Sequence, residues 1–423
     1  MRLLYSLLTY LIAPLAFLVQ LGRGFRDRAY WDRAGERFGF GPGLSGPTLW
    51  VHAVSVGEVR AAAILVPRLK ERWPLLPIVV TTTTPTGARQ VRELLADRVT
   101  HCYLPFDLPG AVGRFLDRVQ PRAGIVMETE IWPVLFRECS RRGIPLTIAS
   151  ARLSPRSAPR YRWFLGALRD VFAGDITVAA QTAVDAERYL SIGANPARTQ
   201  VAGNLKFDLD VSAEIRAAGR ALRDQIGNAR PVWIAGSTRD GEEAVLLEAH
   251  RQVRESQPAA LLILVPRHPQ RFADVKALLA HRGVSFVTRS SSSPVAPDTT
   301  VLLVDTLGEL LLFYASADVA LVGGTLVPIG GHNLLEPAAL GLPVLTGPYV
   351  FNAPDVAHAL LDAGAAIEVR SEVRSEGDVA AVVTRLLGDA AERKHRGEAG
   401  MGVLAGNRGA VERIVQLVAA RMP

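Results

Sequence analysis

Two short segments put ionisable side chains directly after apolar runs, and a third carries a scarce lysine. SVGEV (55–59) follows TLWVHAV and carries Glu58, METEIWP (127–133) carries Glu128 and Glu130, and GNLKFD (203–208) carries Lys206, one of only four lysines. A carboxylate in the first helical turn beyond a strand is suited to a general base, although a helix N-terminus favours its ionised form; a capping glutamate is the competing assignment. Glu128 and Glu130 are two residues apart, so an extended chain turns them to opposite sides and only one is expected to face a ligand. Acidic groups beside apolar strand ends are costly without a partner, and one of the many arginines is the alternative to a functional role. Lysine offers a compact point charge where arginine offers a planar fork.

Two further patterns in this half have competing readings. Asp208 and Asp210 spell D-x-D, a metal-bridging spacing in some nucleotide-sugar enzymes, but they precede a linker and read as ordinary polar residues. Ala53, Ser55 and Gly57 form A-x-S-x-G, a relative of the hydrolase nucleophile elbow. It would lie on the first strand, no HGGG-type loop precedes it, and no acid and histidine stand out downstream.

The second half carries a different chemistry. GSTRDGEE (236–243) follows an apolar run and opens a helix, an anion site through free backbone N–H groups. VPRHPQRF (265–272) ends the next run with Arg267 and His268, charges suited to a phosphate. DTLGEL (305–310) precedes VGGTLVPIGGHNLLEPAALGLPVL (322–345), where Gly323, Gly324, Gly330 and Gly331 let the backbone approach a ligand closely. Asn333 can bond a base or phosphate, and Glu336 can accept from ribose hydroxyls. His332 and Glu336 at i, i+4 lack a third zinc ligand. No Walker A loop or G-x-G-x-x-G fingerprint is present, which disfavours ATPase and dehydrogenase activity.

The elements that must position these groups are legible as near-continuous Val/Ile/Leu runs, the mark of parallel strands buried on both faces. One set covers 48–54, 76–82, 123–129, 144–150 and 175–180; another covers 231–237, 260–267, 299–305, 317–324 and 342–347. Two doubly wound α/β domains are predicted, joined near 207–230, with ligands beyond the carboxyl ends of strands. RSSSSP (289–294) reads as a loop.

A chain of 423 residues, 49% hydrophobic and 21% charged, has ample material for two cores and excludes disordered or collagenous classes. Cys102 and Cys139 lie in no metal or disulfide pattern, as in a reducing compartment. From Leu3 to Leu21 no residue is charged, while Arg2, Arg23, Arg26 and Arg28 flank the segment; it reads as a membrane anchor, spanning or interfacial, with the body on the cytoplasmic side. The net charge is +7, and seven Arg against one Asp fall between Arg141 and Asp170. That window contains Tyr161, Trp163 and Phe164, a composition suited to lipid headgroups.

HAVSVGE, TTTTPTG, METEIWP, SARLS, GNLKFD, VPRHPQRF, DTLGEL and GGHNLLEP, in this order over residues 52–337, closely resemble the bacterial 3-deoxy-D-manno-octulosonic acid (Kdo) transferases. The resemblance implies an α/β GT-B glycosyltransferase fold, two Rossmann-like domains facing across a cleft behind an apolar anchor helix. The expected division is anchor 1–22, acceptor domain 35–210, linker 211–230 and nucleotide domain 231–423. It implies transfer of Kdo from CMP-Kdo to lipid IVA at the cytoplasmic face of the bacterial inner membrane, with Glu58 as proton acceptor and Glu128 and Lys206 stabilising the transition state. CMP contacts are expected from Pro266, Arg267, Leu307, Gly308, Glu309, Asn333, Leu334, Leu335 and Glu336. The family often reads MGE and NPLE where this chain has Leu307 and Leu334; neither swap removes a charged contact. An inverting displacement without metal or other cofactor is expected, with CMP-Kdo, lipid IVA and an anionic membrane surface as partners and no nucleic acid. A UDP-sugar glycosyltransferase or epimerase, and a tethered binding protein without turnover, are the alternatives.

Overall fold

Leu49 and Val51 pack on one side of the first sheet, Trp50 and Val126 on the other, and all are fully buried. That two-sided burial makes the runs apolar throughout rather than alternating. The structure, a computed structural model, describes residues 15, 17–25, 27–154, 171–370 and 379–422. Most of the expected anchor and the stretch 155–170, which holds Arg156, Arg160, Tyr161, Arg162, Trp163 and Phe164, lie outside the described residues. Among the described residues no helix is long and apolar enough to cross a membrane.

The first unit comprises residues 1–208 and 407–423. Its strands are β1 (Thr48–His52), β2 (Ile78–Thr82), β3 (Thr100–Tyr103), β4 (Pro121–Met127), β5 (Leu146–Ala151), β6 (Ile176–Ala180) and β7 (Thr199–Val201). They form one parallel sheet in the order β3-β2-β1-β4-β5-β6-β7. The order reverses between β1 and β4, where doubly wound sheets bind ligands. A Cβ on Gly124 would come within 2.5 Å of the Leu146 side chain and 2.7 Å of Trp50, so that glycine in β4 makes room for the indole.

The second unit covers residues 209–406. Its strands are β8 (Val232–Thr238), β9 (Leu261–Pro266), β10 (Phe286–Thr288), β11 (Val301–Leu303), β12 (Val319–Val322), β13 (Val344–Thr346) and β14 (Ala366–Glu368). The parallel order is β10-β11-β9-β8-β12-β13-β14, with its own reversal between β8 and β12. The α/β, doubly wound expectation therefore holds in both halves. After Arg289–Ser291, a short 3₁₀ turn, the serine-rich stretch has no regular element, as expected.

The domain limits differ from those read in the sequence at two places. Residues 213–226 form a helix of the second unit, where Gly219 lies against Ala315, rather than a linker. The last helix, Ala410–Ala419, returns to the first unit and buries Ile414, Val415 and Val418 with Leu65 and Leu69. Its N-terminus is held by Asp208, whose carboxylate accepts from the N–H groups of Gly409 at 2.6 Å and Val411 at 2.5 Å. Replacing Asp208 with Ala removes this cap and should lower stability by about 1–2 kcal/mol in urea unfolding, with earlier proteolysis at the C-terminal helix.

Candidate functional site

In the first unit the chain leaves β1 through Ala53 and Val54 and enters the helix Val56–Arg72 at Ser55. Ser55 is the N-cap in extended conformation, and its Oγ accepts from the Glu58 N–H at 3.3 Å while donating to Glu58 Oε1 at 3.1 Å. Ser55 is thus an ordinary cap and not a strained nucleophile, which removes the hydrolase reading. The other Glu58 oxygen accepts from the Val54 N–H at 2.6 Å. Glu58 is a capping carboxylate and also a perturbed one. It is 8% exposed, and burial, together with the charges of Glu128 and Glu130, pushes its pKa up to about 7 against the opposing hydrogen bonds.

Glu128, just past β4, has φ +55°, a left-handed conformation unusual for a residue with a side chain. Two backbone contacts hold it there: its N–H donates to the Ala149 carbonyl at 2.9 Å, and the buried Tyr189 hydroxyl donates to its carbonyl at 3.0 Å. This bend breaks strand alternation. Glu128 and Glu130 both lie near enough for their charges to raise the proton affinity of Glu58. Glu130 is itself pushed up, first by burial and then by Glu128.

Lys206 lies in the 3₁₀ turn Leu205–Asp208, anchored by buried Leu205 and Phe207. Its Nζ lies 3.3 Å from Glu128 Oε1 in a half-buried ion pair. Glu58, Glu128 and Lys206 therefore sit in one group at the reversal point of the first sheet. Asp208 is committed to the helix cap described above, as expected for an ordinary polar residue. Among the described residues no three His, Cys, Asp or Glu side chains are grouped to hold a metal.

In the second unit Pro266 is buried at the end of β9, and half-buried Arg267 donates its N–H to the Thr238 carbonyl at 3.0 Å. Leu307 is 65% exposed beside Gly308, whose φ is +82°. The Glu309 carboxylate is occupied by Arg289 at 2.8 Å and by the Thr306 hydroxyl, and the arginine holds its pKa below the usual range. Asn333 Oδ1 accepts from the Leu335 N–H at 3.1 Å, and its amide donates to Glu336 at 3.1 Å. Leu334 and Leu335 are 3% and 1% exposed, so their side chains belong to the core and leave only main-chain groups for a ligand.

Glu242, a residue passed over in the sequence, organises this region. Fully buried, its carboxylate accepts from the N–H groups of Arg239 at 2.8 Å, Gly324 at 2.8 Å and Leu326 at 3.0 Å. It joins the loop after β8 to the glycine loop after β12 across the second reversal point. The N–H of Arg239 is therefore already engaged, so the open anion site expected in GSTRDGEE is partly filled by the protein itself. The Glu-Glu pair in the first helical turn was the available signal. A Cβ on Gly323 would come within 2.5 Å of the Ser237 carbonyl oxygen, which explains the glycine where these loops meet.

A family profile described as 3-deoxy-D-manno-octulosonic-acid transferase (kdotransferase) matches residues 32–209. The 3-deoxy-D-manno-octulosonic acid transferase of Haemophilus influenzae is 40% identical over 99% of this chain and 98% of its own length. That of Bordetella pertussis is 40% identical over 97% of this chain and 96% of its own. The chain belongs to the Kdo transferase family. MurG of Acinetobacter baumannii, 12% identical with a TM-score of 0.52, covers 89% of this chain and 100% of that one and shares the fold alone. The protein is thus a glycosyltransferase of GT-B fold with Kdo transferase activity.

Burial gives Glu58 a pH signature. Unfolded, it ionises near 4.5; folded, near 7, so the native state holds more protons between these values and its contribution to stability declines as pH rises through 7. Glu58→Gln should flatten this dependence: relative to wild type the variant gains on the order of 2 kcal/mol between pH 5 and pH 8 in paired denaturation curves.

Proposed function

We propose that this Kdo transferase moves Kdo from CMP-Kdo to the phosphorylated lipid A precursor lipid IVA by an inverting single displacement. The observation that carries the reading is Glu58, buried at the reversal point of the first sheet with its pKa pushed up to about 7. A carboxylate with that proton affinity accepts the proton of an attacking sugar hydroxyl near neutral pH. The new bond forms between that oxygen and the anomeric carbon, the anomeric C–O bond to phosphate breaks, and CMP departs with the electron pair. Lys206, oriented by Glu128 at 3.3 Å, supplies a positive group at this site.

For the donor, Arg267 supplies a cation for the phosphate. The main-chain groups of Pro266, Leu307, Gly308, Leu334 and Leu335, with Asn333 and Glu336, supply contacts for the nucleotide. Glu309 contributes its backbone, since its carboxylate is paired with Arg289. The transfer uses no metal or other cofactor, a reading supported by the commitment of Asp208 to backbone N–H groups.

The enzyme works on the cytoplasmic face of the bacterial inner membrane, against an anionic surface. Support comes from the uncharged stretch 3–21 with its arginine flank, and from exposed Leu15, Leu18 and Val19 within it and Phe25 beyond it.

Glu58→Gln should lower kcat by roughly 100- to 10,000-fold while CMP affinity by calorimetry stays within error; substantial residual turnover overturns the base assignment. In wild type, kcat should rise with pH to a plateau above about 7. Activity on purified lipid IVA, followed by mass spectrometry, should survive EDTA; a strict divalent-metal requirement would return D-x-D to consideration.

A further inference from the structure

One cluster of charge in the second unit lacks the partners that its neighbours have. Arg271 is surrounded by carboxylates, with Asp240 at 2.6 Å, Glu243 at 3.1 Å and Asp274 at 3.8 Å. Glu242 is committed to three backbone N–H groups. The acidic groups of this segment are thereby used. Arg239, beside Asp240 in the chain, has no carboxylate partner among the described residues. Its guanidinium instead lies in direct contact with the exposed imidazole of His268, and its Nε is buried without a hydrogen-bond partner. Arg267 is equally without a carboxylate, and its backbone is fixed to Thr238, the residue before Arg239.

Two arginines and a histidine thus gather at the carboxyl ends of β8 and β9 with no carboxylate paired to their side chains among the described residues. Such an arrangement is unfavourable until an anion arrives. The cluster is also rigid, because Glu242 Oε2 holds the Arg239 N–H at 2.8 Å. His268 has its proton affinity lowered by partial burial and by Arg239 and Arg267, which leaves its ring nitrogen as an acceptor for the guanidinium.

The donor of the proposed reaction carries two anionic groups, the phosphodiester and the carboxylate that makes the sugar an acid. Arg267 accounts for one. We propose that Arg239, together with His268, forms a carboxylate-recognition site that selects an acidic sugar over a neutral one. The proposal rests on the donor reading above and deepens it. The guanidinium fork matches a carboxylate in a bidentate pair. An anion at this point also raises the proton affinity of His268, so the acidic donor binds with uptake of a proton.

The test uses the full chain. CMP binding is measured by calorimetry, and donor KM by steady-state transfer from CMP-Kdo, for wild type, Arg239→Gln, Arg239→Lys and His268→Gln. Arg239→Gln should raise donor KM about 10- to 100-fold and leave the CMP dissociation constant within error, which also certifies that the variant is folded. Arg239→Lys, with its charge but no fork, should fall between. Titrating CMP-Kdo without acceptor in buffers of different ionisation enthalpy should show proton uptake in wild type and none in His268→Gln. A parallel loss of CMP and donor affinity in Arg239→Gln assigns the arginine to the phosphate and overturns the proposal, as does an unchanged donor KM. Failure of wild type to bind CMP strikes the donor reading itself and is thereby distinguished.

Discussion

Carboxylates that accept backbone N–H groups hold the functional loops in place. Every parallel strand ends in a loop whose amides have lost their ladder partners, and buried amides need an acceptor. Glu58 takes the N–H of Val54, Asp107 those of Val134 and Leu135, Asp185 that of Leu153, and Glu242 those of Arg239, Gly324 and Leu326. Where the acceptor and amides belong to different loops, as at Glu242, the bond fixes one loop against another. An amide stripped of its acceptor costs about 1–3 kcal/mol if buried, so these side chains constrain loop geometry more firmly than turn propensity does.

The same device sets up a contest of proton affinities. Donated N–H groups favour the ionised carboxylate, and burial disfavours it. At Glu58 two neighbouring carboxylates join burial, and the balance shifts upward to about 7. At Glu309 a bidentate arginine dominates and the shift is downward. Capping and proton transfer are therefore compatible at Glu58, because the cap positions the group while burial and like charge set its basicity.

Ten central strands were legible in the sequence, and the four missed ones, β3, β7, β10 and β14, are the edges of the two sheets. An edge strand has one face or end open to water, so THCY, TQV, FVT and AIE carry no continuous apolar run, unlike the fully buried IVVTT or LLILVP. Glu58, Glu128 and Lys206 were legible as residue types at strand ends and in a turn. Their grouping was not, since the positive φ of Glu128 depends on Tyr189 and Ala149, residues distant in sequence. The role of Asp208 was hidden for the same reason: the helix it caps begins about 200 residues later.

The two units differ in the kind of charge they leave uncompensated. In the first, Lys206 pairs with Glu128 alone, and the proton affinities of Glu58 and Glu130 rise through burial and neighbouring carboxylates. In the second, Arg239, Arg267 and His268 have no carboxylate partner among the described residues while Arg271 nearby has three. A displacement that joins a hydroxyl to an activated acidic sugar releases one proton and one anionic leaving group. The acidic excess is suited to the proton and the basic excess to the anion. Placing both on one sheet would let carboxylates and guanidiniums pair with each other and quench both, as Glu309 and Arg289 do. Building each excess on its own sheet keeps the carboxylates of the first basic and the side chains of the second cationic.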